Sequence, residues 1–207
     1  MKFDASHRDA LLEVLTWRRD IRHFRTDPVD EATVSRMQSA MELAPSVGNA
    51  RPWRVLRVDS PDLRAAVRAN FSEANARAAT LYDGAQADAY HKLKLAGLDH
   101  APVQLAVFTE TGPREGHGLG RQTIPETLRH STAMAIHALW LAARVENLGL
   151  GMVSILDPHV MAELLDVPEG WEFTAWLCLG YPEFDDETPL LHRAGWQKNT
   201  PTVWQRR

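Results

Sequence analysis

The chain predicts an α+β fold, one mixed or antiparallel sheet flanked by helices, and three features of the sequence carry that expectation. Four short apolar runs, 53–58, 103–109, 151–156 and 173–179, have strand length. Stretches of helical period separate them. No strand-Gly-x-Gly-x-x-Gly-helix unit and no Walker-type loop is present, so a Rossmann or P-loop nucleotide site is not supported. With 207 residues, 44% apolar and 24% charged, a single domain spanning 1–207 is the simplest arrangement.

Residues 6–18 read as the first helix, capped by Asp4 or Ser6, with Leu11, Leu12 and Leu15 on its buried face. It runs directly into Trp17-Arg18-Arg19-Asp20-Ile21-Arg22-His23-Phe24, where three arginines fall in five residues with one carboxylate among them. Guanidinium forks bind phosphate or carboxylate bidentately, so a cluster at a helix end suits a dianionic ligand. On these residues alone Asp20 is equally well a charge neutraliser or a reactive group. A second helix begins near Asp30, aligns Val34, Met37, Met41 and Ala44, and stops at Pro45. Residues 44–53 then combine two prolines, a glycine and small side chains, a shaped loop able to bring backbone N–H groups close to a flat ligand.

Residues 61–98 are helical and alanine-rich, broken at Asp83-Gly84 and stopped at Gly97. The second half, 85–98, has only Tyr90, Leu93, Leu95 and Leu98 to bury and is expected to be a peripheral lid. After the 103–109 strand, 111–120 holds four glycines and a proline in ten residues, the composition of a mobile surface loop. Pro125 and Glu126 open the longest helix, which carries Ile136, Leu139, Trp140 and Ala143 to about Asn147 and is expected at the centre of the core. The 151–156 strand is interrupted by Ser154, for which periodicity favours a structural hydroxyl bonded to nearby backbone. Asp157-Pro158 caps a helix ending near Leu165, and 173–179 is the last strand. The polar tail 182–207 carries Trp196, Trp204 and three prolines, and is expected to order against a partner surface.

A net charge of −4 without a long basic run argues against nucleic acid as the main partner. No run of about 18 apolar residues and no charged-then-apolar N-terminal pattern is present, so the expectation is a cytoplasmic protein with no membrane partner. Cys178 is the sole cysteine, which excludes an internal disulfide and a thiolate-cluster metal site. His130 and His137, at i and i+7, are too far apart to share a ligand, and no metal is expected.

Arg18-Arg19-Asp20-Ile21-Arg22, residues 44–53, Arg121-Gln122-Thr123-Ile124-Pro125-Glu126-Thr127 and Gly149-Leu150-Gly151-Met152-Val153-Ser154 together resemble the FMN-binding nitroreductase fold in order and spacing, over most of residues 10–200. Residues 139–144 and the run Ala175-Trp176-Leu177-Cys178-Leu179-Gly180 narrow the likeness. Asp20 stands where ordinary nitroreductases commonly carry Ser. With the Val-Ser strand and the extra helix around 90–98, it is similar to the flavin destructase branch, the 5,6-dimethylbenzimidazole synthases.

The resemblance implies that Arg18, Arg19 and Arg22 hold the FMN phosphate or the polar edge of the ring. It implies that Ser46, Val47 and Gly48 line the isoalloxazine, with Asn49, Arg51, Arg121 and Val153 bordering the site. Asp20 and Ser154 match the residues associated with fragmenting the flavin, where a carboxylate and a hydroxyl can move protons. Reduced FMN would then be substrate, with O2 the co-substrate and a separate flavin reductase the supplier. The family's homodimer would place the flavin between protomers. Four features depart from the pattern: Arg51 replaces a glutamine before Pro-Trp, Asn49 is closer to the reductases, His130 replaces a tyrosine, and Gln197-Lys198-Asn199 stands where relatives often have arginines. Two other readings compete. One is an FMN oxidoreductase passing hydride from NAD(P)H to a nitroaromatic or quinone, disfavoured because a carboxylate near the ring raises the cost of reducing it. The other is a non-catalytic flavin carrier, for which the chain offers no output segment.

Overall fold

A computed structural model describes residues 1–93 and 97–207. Leu95, expected on the lid helix, falls outside the described residues. The sheet has four strands: β1 (Trp53–Arg57), β2 (Val103–Glu110), β3 (Gly149–Val153) and β4 (Trp171–Gly180). Their order is β1-β2-β4-β3, and every neighbouring pair is antiparallel. Alternation along the strands sends Val103, Leu105 and Val107 of β2, with Ala175, Leu177 and Leu179 of β4, to one face. Ala106 and Phe108, with Trp176 and Cys178, go to the other. Both faces are covered, which is why these strands read as continuous apolar runs rather than as alternations.

The first face packs on α5 (Thr127–Val145), through Ala135, Ile136, Leu139 and Ala143, and on α2 (Glu31–Met41), through Met37 and Met41. The second packs on Val67 of α3 (Pro61–Ala79) and Met161 of α6 (Pro158–Leu164). Within this second layer the Trp176 indole N–H donates to Gln104 Oε1 at 3.1 Å, and Gln104 Nε2 donates to the Leu98 carbonyl at 2.9 Å. The buried amide is thereby satisfied, and Leu98 becomes part of the core. That corrects the far end of the expected lid: only α4 (Gly84–His91) is peripheral, and its one buried residue is Tyr90. Tyr90 donates to Asn75 Oδ1 at 2.7 Å and stacks on Tyr82 at 4.8 Å.

Two further expectations change. Helix α1 (Ala5–Trp17) buries none of its residues, and Leu11 and Leu12 are 53% and 54% exposed. The helical period correctly announced an apolar face, but nothing among the described residues buries it. The tail divides. Its first part packs on its own protomer: Arg25 N–H donates to the Tyr181 carbonyl at 2.9 Å, Glu183 N–H to the His23 carbonyl at 3.1 Å, and Arg144 pairs with Asp185 at 2.6 Å. The short α7 (Leu190–Arg193) follows, and Trp196 meets Tyr82 edge-on at 5.3 Å. Residues 200–207 are exposed throughout, Trp204 at 92%.

The outer edge of β3 is closed by the segment after α1. Ile21 N–H donates to the Leu150 carbonyl at 3.1 Å, and Asp20 bridges to Leu150 in parallel. A Cβ on Gly151 would strike the Ile21 carbonyl, so the glycine is what lets the arginine-bearing segment lie against the strand.

Candidate active site

Arg18 caps the C-terminus of α1, and the chain leaves the helix extended, presenting Arg19, Asp20 and Arg22 beside β3. The Asp20 carboxylate is held at both oxygens: Oδ1 accepts from Met152 N–H at 2.9 Å, and Oδ2 accepts from Arg22 Nε at 2.9 Å. Its side chain is 32% exposed and that of Arg22 only 11%. Ser154 follows β3 directly, two residues beyond Met152, a step of about 7 Å in extended chain. It is exposed, and among the described residues its hydroxyl makes no hydrogen bond. The backbone-bonded structural serine expected from periodicity is therefore not what the fold contains.

The arginines divide by what already engages them. Arg19 donates through Nε to the Glu187 carbonyl at 2.7 Å and through Nη1 to the Arg18 carbonyl at 2.6 Å. Burial, and then the neighbouring Arg18 charge, lower its guanidinium from its ordinary value. Arg22 is engaged by Asp20. Arg18 instead lies over the Trp140 ring, its guanidinium carbon 4.9 Å from the centroid, with Nε buried and without a hydrogen-bond partner. The Trp140 indole N–H donates to the Arg19 carbonyl at 3.2 Å.

A second cluster is built on the loop before β1. Gly48, Asn49 and Arg51 have φ of +56°, +56° and +46°, so two non-glycine residues occupy the sparsely populated left-handed region. Three contacts hold them there. Ser131 Oγ on α5 accepts from Val47 N–H at 3.0 Å and donates to the Thr127 carbonyl at 2.7 Å. Ser46 Oγ accepts from Arg51 N–H at 3.1 Å. The turn at Glu115–Gly118 presses on the loop so closely that a Cβ on Gly116 would lie 2.7 Å from the Gly48 carbonyl oxygen. Gly116 thus serves close backbone approach, and Gly120 the close approach of the Val47 side chain. This segment is a backing for the site, in contrast to the mobile loop its composition suggested.

Arg121 follows this turn with Nη1 buried and unpartnered. Arg51 turns toward α2, where Nη1 pairs with Glu42 at 3.2 Å, and Glu42 also accepts the Trp53 indole N–H at 3.1 Å. The Val153 side chain is sealed in the second core layer, so only its backbone can border a ligand. Ser131 and Trp140, which anchor the two clusters, stand nine residues apart on α5, about 13 Å along its axis. Sequence reasoning assigned neither of them a role in the site. The available signal was that both carry a polar tip on the helix expected at the centre of the core, and such groups require partners when buried.

Burial pushes the Cys178 thiol up to about 12, which removes it as a nucleophile near neutral pH. Among the described residues no three His, Cys, Asp or Glu side chains converge, and no helix is long and apolar enough to cross a membrane.

Residues 15–181 match the nitroreductase family. A Rhodobacter capsulatus protein named 5,6-dimethylbenzimidazole synthase is 66% identical over 207 residues, 100% of each chain. A Rhodospirillum rubrum protein of the same name is 51% identical over 199 residues, 96% of this chain and 94% of its own. Among solved structures, oxidized iodotyrosine deiodinase bound to FMN and 3-iodo-L-tyrosine shares the fold, with a TM-score of 0.74 at 21% identity over 95% of this chain and 97% of that one. An antiparallel sheet edged by the arginine segment, a family match through 15–181 and full-length relatives at these identities have one consequence: this chain belongs to the nitroreductase family.

Proposed function

We propose that this protein is a 5,6-dimethylbenzimidazole synthase, which takes reduced FMN as substrate, fragments it with O2, and releases 5,6-dimethylbenzimidazole, erythrose 4-phosphate and the remaining pyrimidine part of the ring. The observation that carries the reading is the Asp20 carboxylate, clamped by Met152 N–H and Arg22, with the exposed Ser154 two residues along the chain from Met152. The full-length relatives at 66% and 51% identity bear that name. The chain's donors also suit a flavin. Arg18 Nε and Arg121 Nη1 are buried without acceptors, and such groups cost free energy until something accepts from them. FMN offers phosphate oxygens and the carbonyl and nitrogen acceptors of its ring.

When bound, reduced flavin supplies the electrons that O2 takes up. The protein's share is binding, orientation and proton movement. Arg18, Arg19 and Arg22 hold the anionic parts of the ligand, while the backbone of residues 46–49, with Arg121, lines its flat face. Asp20, held in one orientation by its two donors, accepts a proton from the ring or ribityl chain, and the Ser154 hydroxyl donates to or relays protons for oxygen-bearing groups. Helix α4 acts as the lid that keeps water and NAD(P)H from the ring, joined to the body mainly through Tyr90.

The working unit in this reading is a homodimer in the cytoplasm, with flavin between protomers and a separate reductase supplying it. Two observations support the dimer. Leu11, Leu12 and Leu15 form an exposed apolar face on α1. In addition, β1 is an open sheet edge beside a groove floored by Met37, Met41, Trp53 and Leu105, of the kind that an extended segment such as residues 200–207 of a second copy would cover. Aerobic incubation with chemically reduced FMN, followed by chromatography for 5,6-dimethylbenzimidazole, tests the function. Formation of the benzimidazole supports it. Reoxidation to intact FMN alone, with NAD(P)H-driven reduction of a nitroaromatic, would establish the oxidoreductase reading in its place.

A further inference from the structure

We infer that Trp140 is the positioning residue for the anion site: it holds the Arg18 guanidinium edge outward, and through Arg18 it sets the affinity for the phosphate of the flavin. The inference rests on the flavin reading above and adds to it a residue that touches no ligand itself.

Three observations converge on the indole. The guanidinium carbon of Arg18 lies over the indole, 4.9 Å from the ring centroid, a cation–π contact that supplies no hydrogen-bond acceptor oxygen and so leaves the guanidinium donors to be matched by an anion. Among the described residues no side-chain nitrogen of Arg18 donates a hydrogen bond, and Nε is buried without a partner. The indole N–H donates to the Arg19 carbonyl at 3.2 Å, which fixes the plane of the ring against the segment that carries both arginines. The neighbouring guanidinium groups are engaged differently, Arg19 by the Glu187 carbonyl and Arg22 by Asp20. Arg18 is consequently the member of the cluster whose forked edge is preorganised and unmatched. A dianionic phosphate is the acceptor that fits it best.

A Trp140 that only filled space would behave otherwise. Its loss would lower stability and weaken every ligand alike. A platform for Arg18 weakens only ligands that carry the phosphate, and its effect vanishes once Arg18 is changed. The experiment therefore measures binding of oxidised FMN and of riboflavin, which lacks the phosphate, to the full-length wild type, Trp140→Phe, Trp140→Leu, Arg18→Lys and the double variant W140L/R18K.

The expected result is that Trp140→Leu and Arg18→Lys each weaken FMN binding about tenfold, the scale of a partly desolvated cation–π contact, while riboflavin binding stays within about twofold. Trp140→Phe, which keeps an aromatic face, retains most of the FMN affinity. The double variant binds FMN no more weakly than R18K alone, because the two residues act as one unit. Unchanged FMN affinity in W140L, equal losses for FMN and riboflavin, or additive losses in the double variant would each overturn the inference. Should W140L not fold, Trp140→Met replaces it under the same criteria. A wild type that binds neither flavin refutes the flavin reading itself, an outcome distinct from a wild type that binds FMN and a W140L variant that binds it equally well.

Discussion

Replacing Asp20 with Asn separates the two jobs the structure gives this carboxylate. Oδ1 accepts from Met152 N–H and Oδ2 from Arg22 Nε, each at 2.9 Å. An Asn side chain can keep the first bond through its carbonyl oxygen, but its amide must then face the Arg22 guanidinium, donor against donor. A hydrogen bond to a charged group contributes about 1.5–3 kcal/mol. With Asp20 32% exposed, solvent offsets part of that loss, and the expected cost is about 1–2 kcal/mol, roughly 2–8 °C in Tm for a chain of this size. Loss of a proton-transfer group lowers rate by about 10²–10⁴. The two effects differ enough to be read independently in a thermal melt, an FMN titration and an aerobic turnover assay with reduced FMN. D20N should fold, bind flavin and let it reoxidise while releasing less than about a hundredth of the wild-type benzimidazole. Ser154→Ala, which removes an exposed hydroxyl with no hydrogen bond among the described residues, should change stability by less than about 0.5 kcal/mol and lower product in the same direction. If D20N makes product at near the wild-type rate, or is inactive only because it is unfolded, the chemistry does not belong to Asp20.

Gly116→Ala forces a left-handed alanine at φ +72° with its Cβ 2.7 Å from the Gly48 carbonyl oxygen; a melt and an FMN titration should show about 1–3 kcal/mol less stability and weaker flavin binding, and an unaffected protein would mean the loop pair is not a fixed template. Sedimentation at micromolar concentration should give a dimer for the full chain and a weaker dimer for one ending at residue 197; a stable monomer that still binds FMN would contradict the interfacial site. Replacing 84–91 with a short linker should leave the fold intact, since Tyr90 is the only buried residue of α4, while abolishing product and admitting NAD(P)H to the flavin; normal product formation would make α4 merely structural.

Much of the core was legible because β2 and the second half of β4 are buried on both faces and appear as largely apolar runs. β3 was displaced: it runs Gly149–Val153, earlier than the 151–156 run suggests. Gly149 fell outside the expected strand and Gly151 at its start, and both are glycine where Ile21 lies against them. The face of α1 shows the complementary limit. Its period declares that Leu11, Leu12 and Leu15 are to be covered, but a period does not say by which chain. The arginine cluster and Asp20 stood out locally by charge density. What each arginine does could not be read, because the deciding partners are remote: Glu187 is 168 residues from Arg19, and Trp140 is 121 residues from the carbonyl its indole grips. Glycine content likewise suggested mobility at 111–120, where the fold uses Gly116 and Gly120 for contact with residues 47–48.

The central claim is that flavin is consumed rather than recycled. The direct test follows total flavin and 5,6-dimethylbenzimidazole together, in an aerobic reaction where wild-type protein is supplied with FMN and a flavin-reducing system. Loss of one flavin for each benzimidazole formed, with flavin unchanged when oxygen is excluded, is the predicted result. Constant total flavin while reductant and oxygen are consumed would contradict it, and would identify an enzyme that keeps its flavin.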